Sequence, residues 1–115
     1  MKPIHGDKLR GQLETLILSV LERGEAHGLE ILHRLDRAGC GLLHLKEGSL
    51  YPALYRLEEA GKVQAIWEED KQGRRGARRR IYQLTTKGKR ELAKGREEWA
   101  SFVQIIGGVL AGAPA

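Results

Sequence analysis

At 115 residues, with aromatic side chains at only 5%, the chain has room for one small domain with a modest Leu, Ile and Val core, which excludes a multidomain architecture. The net charge of +5 is unevenly spread: residues 71–96 hold eleven Lys and Arg against Glu91 alone, and the remainder carries nine basic and fourteen acidic side chains. That segregation points to an anionic partner, nucleic acid first, and the single Cys40 excludes an internal disulfide.

Residues 1–7 read as a flexible arm. Leu9, Leu13, Leu16, Ile17, Val20 and Leu21 step by threes and fours, an amphipathic helix that Gly24 ends. A second helix is expected from about His27 to Ala38, burying Leu29 or Ile31 together with Leu32 and Leu35. Gly39 and Gly41 bracket Cys40 in a turn, and Leu43-His44-Leu45 suits a short strand. The third helix runs from Ser49 to Ala60 and stops at Gly61. Leu50, Ala53, Leu54 and Leu57 make its apolar face; Ser49, Pro52, Arg56 and Glu59 make the polar one. Ser49 is its expected cap, and Pro52 stands early enough that its missing N–H has no partner to lose.

The period then changes from helical to alternating. Val63, Ala65 and Trp67 share one face of a strand over 63–68, and Arg80, Tyr82 and Leu84 share a face over 80–84. Residues 70–78 between them, with Gly73 and Gly76, suit a long hairpin tip. Two strands alone are marginal, so this ribbon must pack on the helices. Thr85 or Thr86 caps a last helix reaching Ile106 or beyond, with 111–115 as a frayed tail. Along it, positions 92, 95, 99, 102, 106 and 109 alternate by three and four. Such a helix packs either on its own domain or on a second copy. Because its largest apolar residues lie far from the hairpin, a dimer seam is expected at Leu92, Trp99, Phe102, Ile106 and Val109, shared with the first helix.

These elements make a mainly α chain with a two-stranded β-wing. The expected organisation is a winged helix-turn-helix over residues 1–85, followed by a C-terminal dimerisation helix and tail over 86–115. A short polar-faced helix before a basic hairpin suits double-stranded DNA. Ser49, Tyr51, Pro52 and Arg56 would lie nearest the bases of the major groove, with Lys46 at its entry. Lys71, Arg74, Arg75, Arg78 and Arg79 would follow phosphates or enter the minor groove. Arg56 either reads a guanine or pairs on the surface with Glu59 or Glu30. Tyr51 and Tyr55 are both partly core candidates, Tyr55 the more buried.

His5, His27, His33, His44 and Cys40 are scattered, without the tight spacing of metal ligands, so no metal is expected. There is no phosphate loop and no nucleophile with convincing base and acid partners, so neither an enzyme nor a cofactor is expected. No apolar leader precedes Leu9 and no apolar run suits a bilayer, so the expectation is a soluble, cytoplasmic protein without a membrane partner. Two other classes stay open: a winged-helix protein-interaction module whose wing takes an acidic partner, and a non-specific nucleic-acid binder. The first predicts no preferred duplex, the second strong salt dependence without a preferred site.

The residues also resemble the PadR family of bacterial transcriptional regulators, in its short form with a single C-terminal helix. The likeness rests on Leu16-Ile17-Leu18, on His27-Gly28-Leu29-Glu30-Ile31, and on Gly48-Ser49-Leu50-Tyr51-Pro52-Ala53-Leu54 with Arg56-Leu57-Glu58. It continues through Gly61, Trp67, Arg79-Arg80-Ile81-Tyr82-Gln83-Leu84-Thr85 and Gly88, spanning roughly residues 9–105. The resemblance implies a homodimer built on the last helix and repression from a pseudo-palindromic operator, relieved by a small molecule or another signal. Multidrug-sensing relatives carry tryptophan where this chain has Trp99, so packing and stacking on a planar aromatic effector are both readings of that residue. The chain departs from the family at Ala77, where proline is frequent, and in the insertion-like, charged run Lys71 to Arg75.

Overall fold

In a computed structural model that describes residues 1–9, 11–68 and 79–112, the apolar stripes become helices in the expected order. The elements are β1 (Ile4–His5), a 3₁₀ turn (Gly6–Leu9), α1 (Leu13–Leu21), β2 (Ala26–His27), α2 (Gly28–Ala38), β3 (Leu43–His44), α3 (Glu47–Glu59), β4 (Val63–Trp67), β5 (Arg80–Leu84) and α4 (Thr86–Leu110). Ile17, Ile31, Leu50, Leu54, Leu57 and Leu92 are the largest fully buried side chains, and they meet in one core between α1, α2, α3 and the start of α4. Burying each Leu or Ile stabilises by about 1.5–3 kcal/mol. That packing, rather than helix propensity, holds α1, α2 and α3, since isolated helices so short are marginal in water.

The antiparallel sheet has the order β2-β5-β4. Val63 faces Leu84, Ala65 faces Tyr82 and Trp67 faces Arg80. The ribbon expected from the alternating runs therefore gains a third strand, in which Ala26 pairs with Tyr82 and His27 with Ile81. A two-residue strand has no detectable period. Val63 and Tyr82 are buried, whereas Trp67 on the same face is 59% exposed.

Several local expectations change. The first residues are not a free arm, because Ile4 and His5 pair in parallel with Leu43 and His44, and the two imidazoles meet edge to face at 5.1 Å. Of the two candidates in α2, Ile31 is buried and Leu29 exposed. Helix α3 begins at Glu47, with Lys46 at the N-cap and no side-chain cap bond, so Ser49 lies within the first turn instead of capping it. Pro52 consequently falls in the second turn, where its missing N–H withdraws the bond to the Gly48 carbonyl. The expected hairpin tip at 70–78 and tail positions 113–115 lie outside the described residues.

Helix α4 spans 25 residues, about 37 Å at 1.5 Å per residue. Thr85 caps it, its hydroxyl accepting from the Gly88 N–H at 3.0 Å and donating to the Gly61 carbonyl at 2.6 Å. The near half docks on the body: Gly88 lies against the Lys62 carbonyl, and a Cβ at Gly95 would stand 2.7 Å from the Thr15 hydroxyl. Arg96 donates to Ser19 of α1 and to Glu22, the residue that follows α1, at 3.2 and 2.9 Å. Leu92, grouped with the seam by its spacing, is 1% exposed and belongs to the protomer's own core. A heptad step serves an intrachain and an intermolecular neighbour alike. From Trp99 onward the apolar side chains are exposed: Trp99, Phe102, Val103, Ile105, Ile106, Val109 and Leu110. Trp99 and Phe102 stack with centroids 5.6 Å apart.

Candidate nucleic-acid interface

Helix α3 is anchored by Leu50, Ala53, Leu54 and Leu57, which turns Tyr51, Pro52, Tyr55, Arg56 and Glu59 outward. Lys46 is exposed just before the first turn. Arg56 pairs with neither Glu59 nor Glu30; its Nε lies 3.4 Å from the Glu14 carboxylate on α1, both side chains well exposed. Such a surface pair contributes little, so the guanidinium can exchange it for another acceptor. Glu30 instead accepts from Arg37 at 2.9 Å, and that hydrogen bond holds its carboxyl below the usual range. Tyr55 is 64% and Tyr51 42% exposed, the reverse of the expected order, because Tyr51 lies over Gly28 at the start of α2.

Ser49 stands apart from this group. It is half-buried near Gly6 and faces a cavity of about 710 Å³ lined by His5, His33, Asp36, His44 and Lys46. The spacing of α3 brings 49 and 52 to one side, but the turn after β1 stands over Ser49, where a Cβ at Gly6 would lie 3.4 Å from its hydroxyl.

Beside α3 lies a cleft of about 480 Å³, bounded by the start of α2 and by β4 and β5. All three tyrosines of the chain and one of its two tryptophans line it, together with His27, Glu58, Arg79 and Arg80. Neighbouring arginines have different fates there. Arg80 donates to Glu58 at 2.7 Å, and its guanidinium carbon stands 5.6 Å from the Trp67 ring and 5.9 Å from Tyr82. It ties β5 to α3. Desolvation pushes the Tyr82 hydroxyl above its ordinary pKa. Arg79 is exposed and places Nη1 2.9 Å from Nε2 of His27, while Nδ1 of His27 accepts from the Glu30 N–H at 3.2 Å and caps α2. Among the described residues no carboxylate pairs with Arg79. Lys71, Arg74, Arg75 and Arg78 lie outside the described residues.

The structure thus gathers Tyr51, Pro52, Arg56 and Arg79 on and beside one helix and adds His27, Tyr55 and Trp67 to them. Trp67 could have been found from its alternation opposite Arg80, and His27 from its place before an apolar helical run. Among the described residues no three His, Cys, Asp or Glu side chains converge as metal ligands, and no helix is long and apolar enough to cross a membrane.

Comparison with known proteins agrees with this geometry. The profile of the family described as "Transcriptional regulator PadR-like family" matches residues 17–94. A transcriptional regulator from Clostridium thermocellum is 31% identical, covering 89% of this chain and 96% of that one, with a TM-score of 0.79. A PadR family transcription regulator from Clostridium difficile is 30% identical over 87% and 99% of the two chains, with a TM-score of 0.74. An uncharacterised protein from Lysinibacillus sphaericus is 28% identical over 103 residues, 90% of this chain and 92% of its own.

Proposed function

The chain belongs to the PadR-like family of transcriptional regulators, non-enzymatic DNA-binding proteins, and on that premise we propose a homodimeric, sequence-specific repressor whose operator is released by a small molecule. The observation that carries the reading is α3: four buried residues anchor it and leave Tyr51, Pro52, Tyr55 and Arg56 outward.

In this reading α3 enters the major groove, with Tyr51, Pro52 and Arg56 toward the bases and Lys46 and Ser49 at the edge. Arg79, with Lys71, Arg74, Arg75 and Arg78, follows the phosphates. Two protomers join along Trp99, Phe102, Ile106 and Val109, because so apolar a stripe on a small chain marks an interaction surface. A two-fold axis there sets the two α3 helices about one DNA turn, roughly 34 Å, apart, and the target is a pseudo-palindrome. The stacked, exposed Trp99 and Phe102 supply the aromatic surface on which a planar effector would rest. The protein works in the cytoplasm, beside its DNA.

Selection of bound sites from random duplex tests the reading. An enriched inverted repeat is the expected result. Tight, salt-sensitive binding without enrichment leaves a non-specific binder, and no duplex binding at all leaves the protein-interaction module. Quenching of Trp99 fluorescence by flat aromatic compounds, with Trp67→Phe to isolate the signal, tests the effector; no quenching removes that clause alone.

A further inference from the structure

We infer that the cleft between α2, α3 and β5 seats one backbone phosphate of DNA, held by the Arg79 guanidinium and the Tyr51 hydroxyl, with Gly28 as the positioning residue that makes room for Tyr51. The inference rests on the DNA-binding reading and refines it at one residue, moving the Tyr51 hydroxyl from the base edges to the backbone.

Three independent features of the cleft favour a single phosphate over a base edge. The first is charge. Of the two adjacent arginines, Arg80 is committed to Glu58, whereas Arg79 is exposed and its described contact is the His27 ring, 2.9 Å away. The ring's Nδ1 accepts from the Glu30 N–H, so the neutral imidazole carries its proton on Nε2 and gives the guanidinium no acceptor there. A guanidinium so placed offers its N–H groups to an anion, and phosphate is the anion it matches in shape.

The second is the placement of Tyr51. A Cβ built at Gly28 would fall 2.8 Å from both Cε1 and Cζ of its ring and against its hydroxyl oxygen. Any side chain at position 28 would therefore drive the ring out of the cleft. Gly28 has an ordinary helical place, with no positive φ to explain it; the close approach of the tyrosine is what requires glycine there. A tyrosine hydroxyl is a neutral donor, suited to a phosphate oxygen beside the charged contact.

The third is shape. The cleft is open, and Tyr55, Trp67 and Tyr82 are part of its lining, so the apolar deoxyribose face can lie on rings while the phosphate meets Arg79 and Tyr51. A base edge would need free convergent donors and acceptors, and the Glu58 and Arg80 of the lining are spent on each other.

The test is fluorescence anisotropy of the full chain on a mixed-sequence duplex of about 30 base pairs, followed between about 50 and 200 mM salt. Arg79→Gln should shallow the plot of log K against log salt by about 0.9, the value of one phosphate contact. Arg79→Lys should keep the slope, and so should Arg37→Gln, an exposed arginine at the far end of α2. Tyr51→Phe should weaken binding about ten- to a hundredfold, the worth of one hydrogen bond to a charged acceptor, without altering the slope. Gly28→Ala should match Tyr51→Phe, and the double variant should lose no more than either single one. A full slope in Arg79→Gln, or wild-type binding by Tyr51→Phe, overturns the seat. If Gly28→Ala fails to fold by circular dichroism, the Arg79 and Tyr51 readouts still decide. Wild-type protein that binds no duplex overturns the DNA reading itself, an outcome distinct from wild-type binding that the variants leave intact.

Discussion

Replacing Phe102 by Glu should convert the protein to monomers. Phe102 is 50% exposed in the isolated protomer, so about half of the 1.5–3 kcal/mol available from burying a phenyl ring remains to be gained at a seam, close to 1 kcal/mol per protomer and about 2 across the two-fold. The variant forfeits that and adds two carboxylates facing one another. Packed helix axes lie about 8–10 Å apart; at about 8 Å and an effective dielectric near 20, two like charges cost about 2 kcal/mol. The total, about 4 kcal/mol, weakens the dimer roughly a thousandfold. Because Phe102 lies beyond the docked half of α4 and outside the core, the far-ultraviolet circular dichroism should not change. Sedimentation equilibrium across the micromolar range reads the outcome. A Phe102→Glu variant as dimeric as wild type would refute the seam, and so would a wild type that is monomeric at those concentrations.

Gly88→Ala should destabilise by about 1–3 kcal/mol, because its Cβ collides with the Lys62 backbone carbonyl and only a shift of α4 relieves it; an unchanged urea midpoint would show that the contact yields freely. Arg56→Ala should cost about 1–3 kcal/mol at the selected operator and relax one base position; equal loss on random duplex would make it a backbone contact. Arg96 donates to Glu22 and lowers its pKa from the ordinary 4.5, so the unfolded chain binds more protons there than the folded one. The tie between α1 and α4 is therefore complete above that pKa and fades as pH falls through the lowered value. In acid titration of stability, Glu22→Gln should remove that part of the slope, and a superimposable curve would show that the exposed pair contributes nothing.

Local order was legible in the residues themselves. Steps of three and four place α1, α2, α3 and α4, Gly61 ends α3 with φ +73°, the cap of α4 narrows to Thr85 or Thr86, and the alternation at 63–68 and 80–84 gives the strand faces. Each of these depends on neighbours within a few positions, where periodicity and capping act. What periodicity cannot contain is the identity of the element that covers an apolar face. Leu92 and Phe102 occupy the same kind of position on one helix, yet one fills the protomer's core and the other is half exposed. Arg56 could be read as charged and exposed, but its partner Glu14 stands 42 positions away, and a still longer separation hides the pairing of Ala26 and His27 with β5. The order of Tyr51 and Tyr55 was inverted because Gly28, a residue of another helix, admits the first ring. The cleft between α2, α3 and β5 exists only once three segments distant in sequence are packed together, and packing is a property of the tertiary fold.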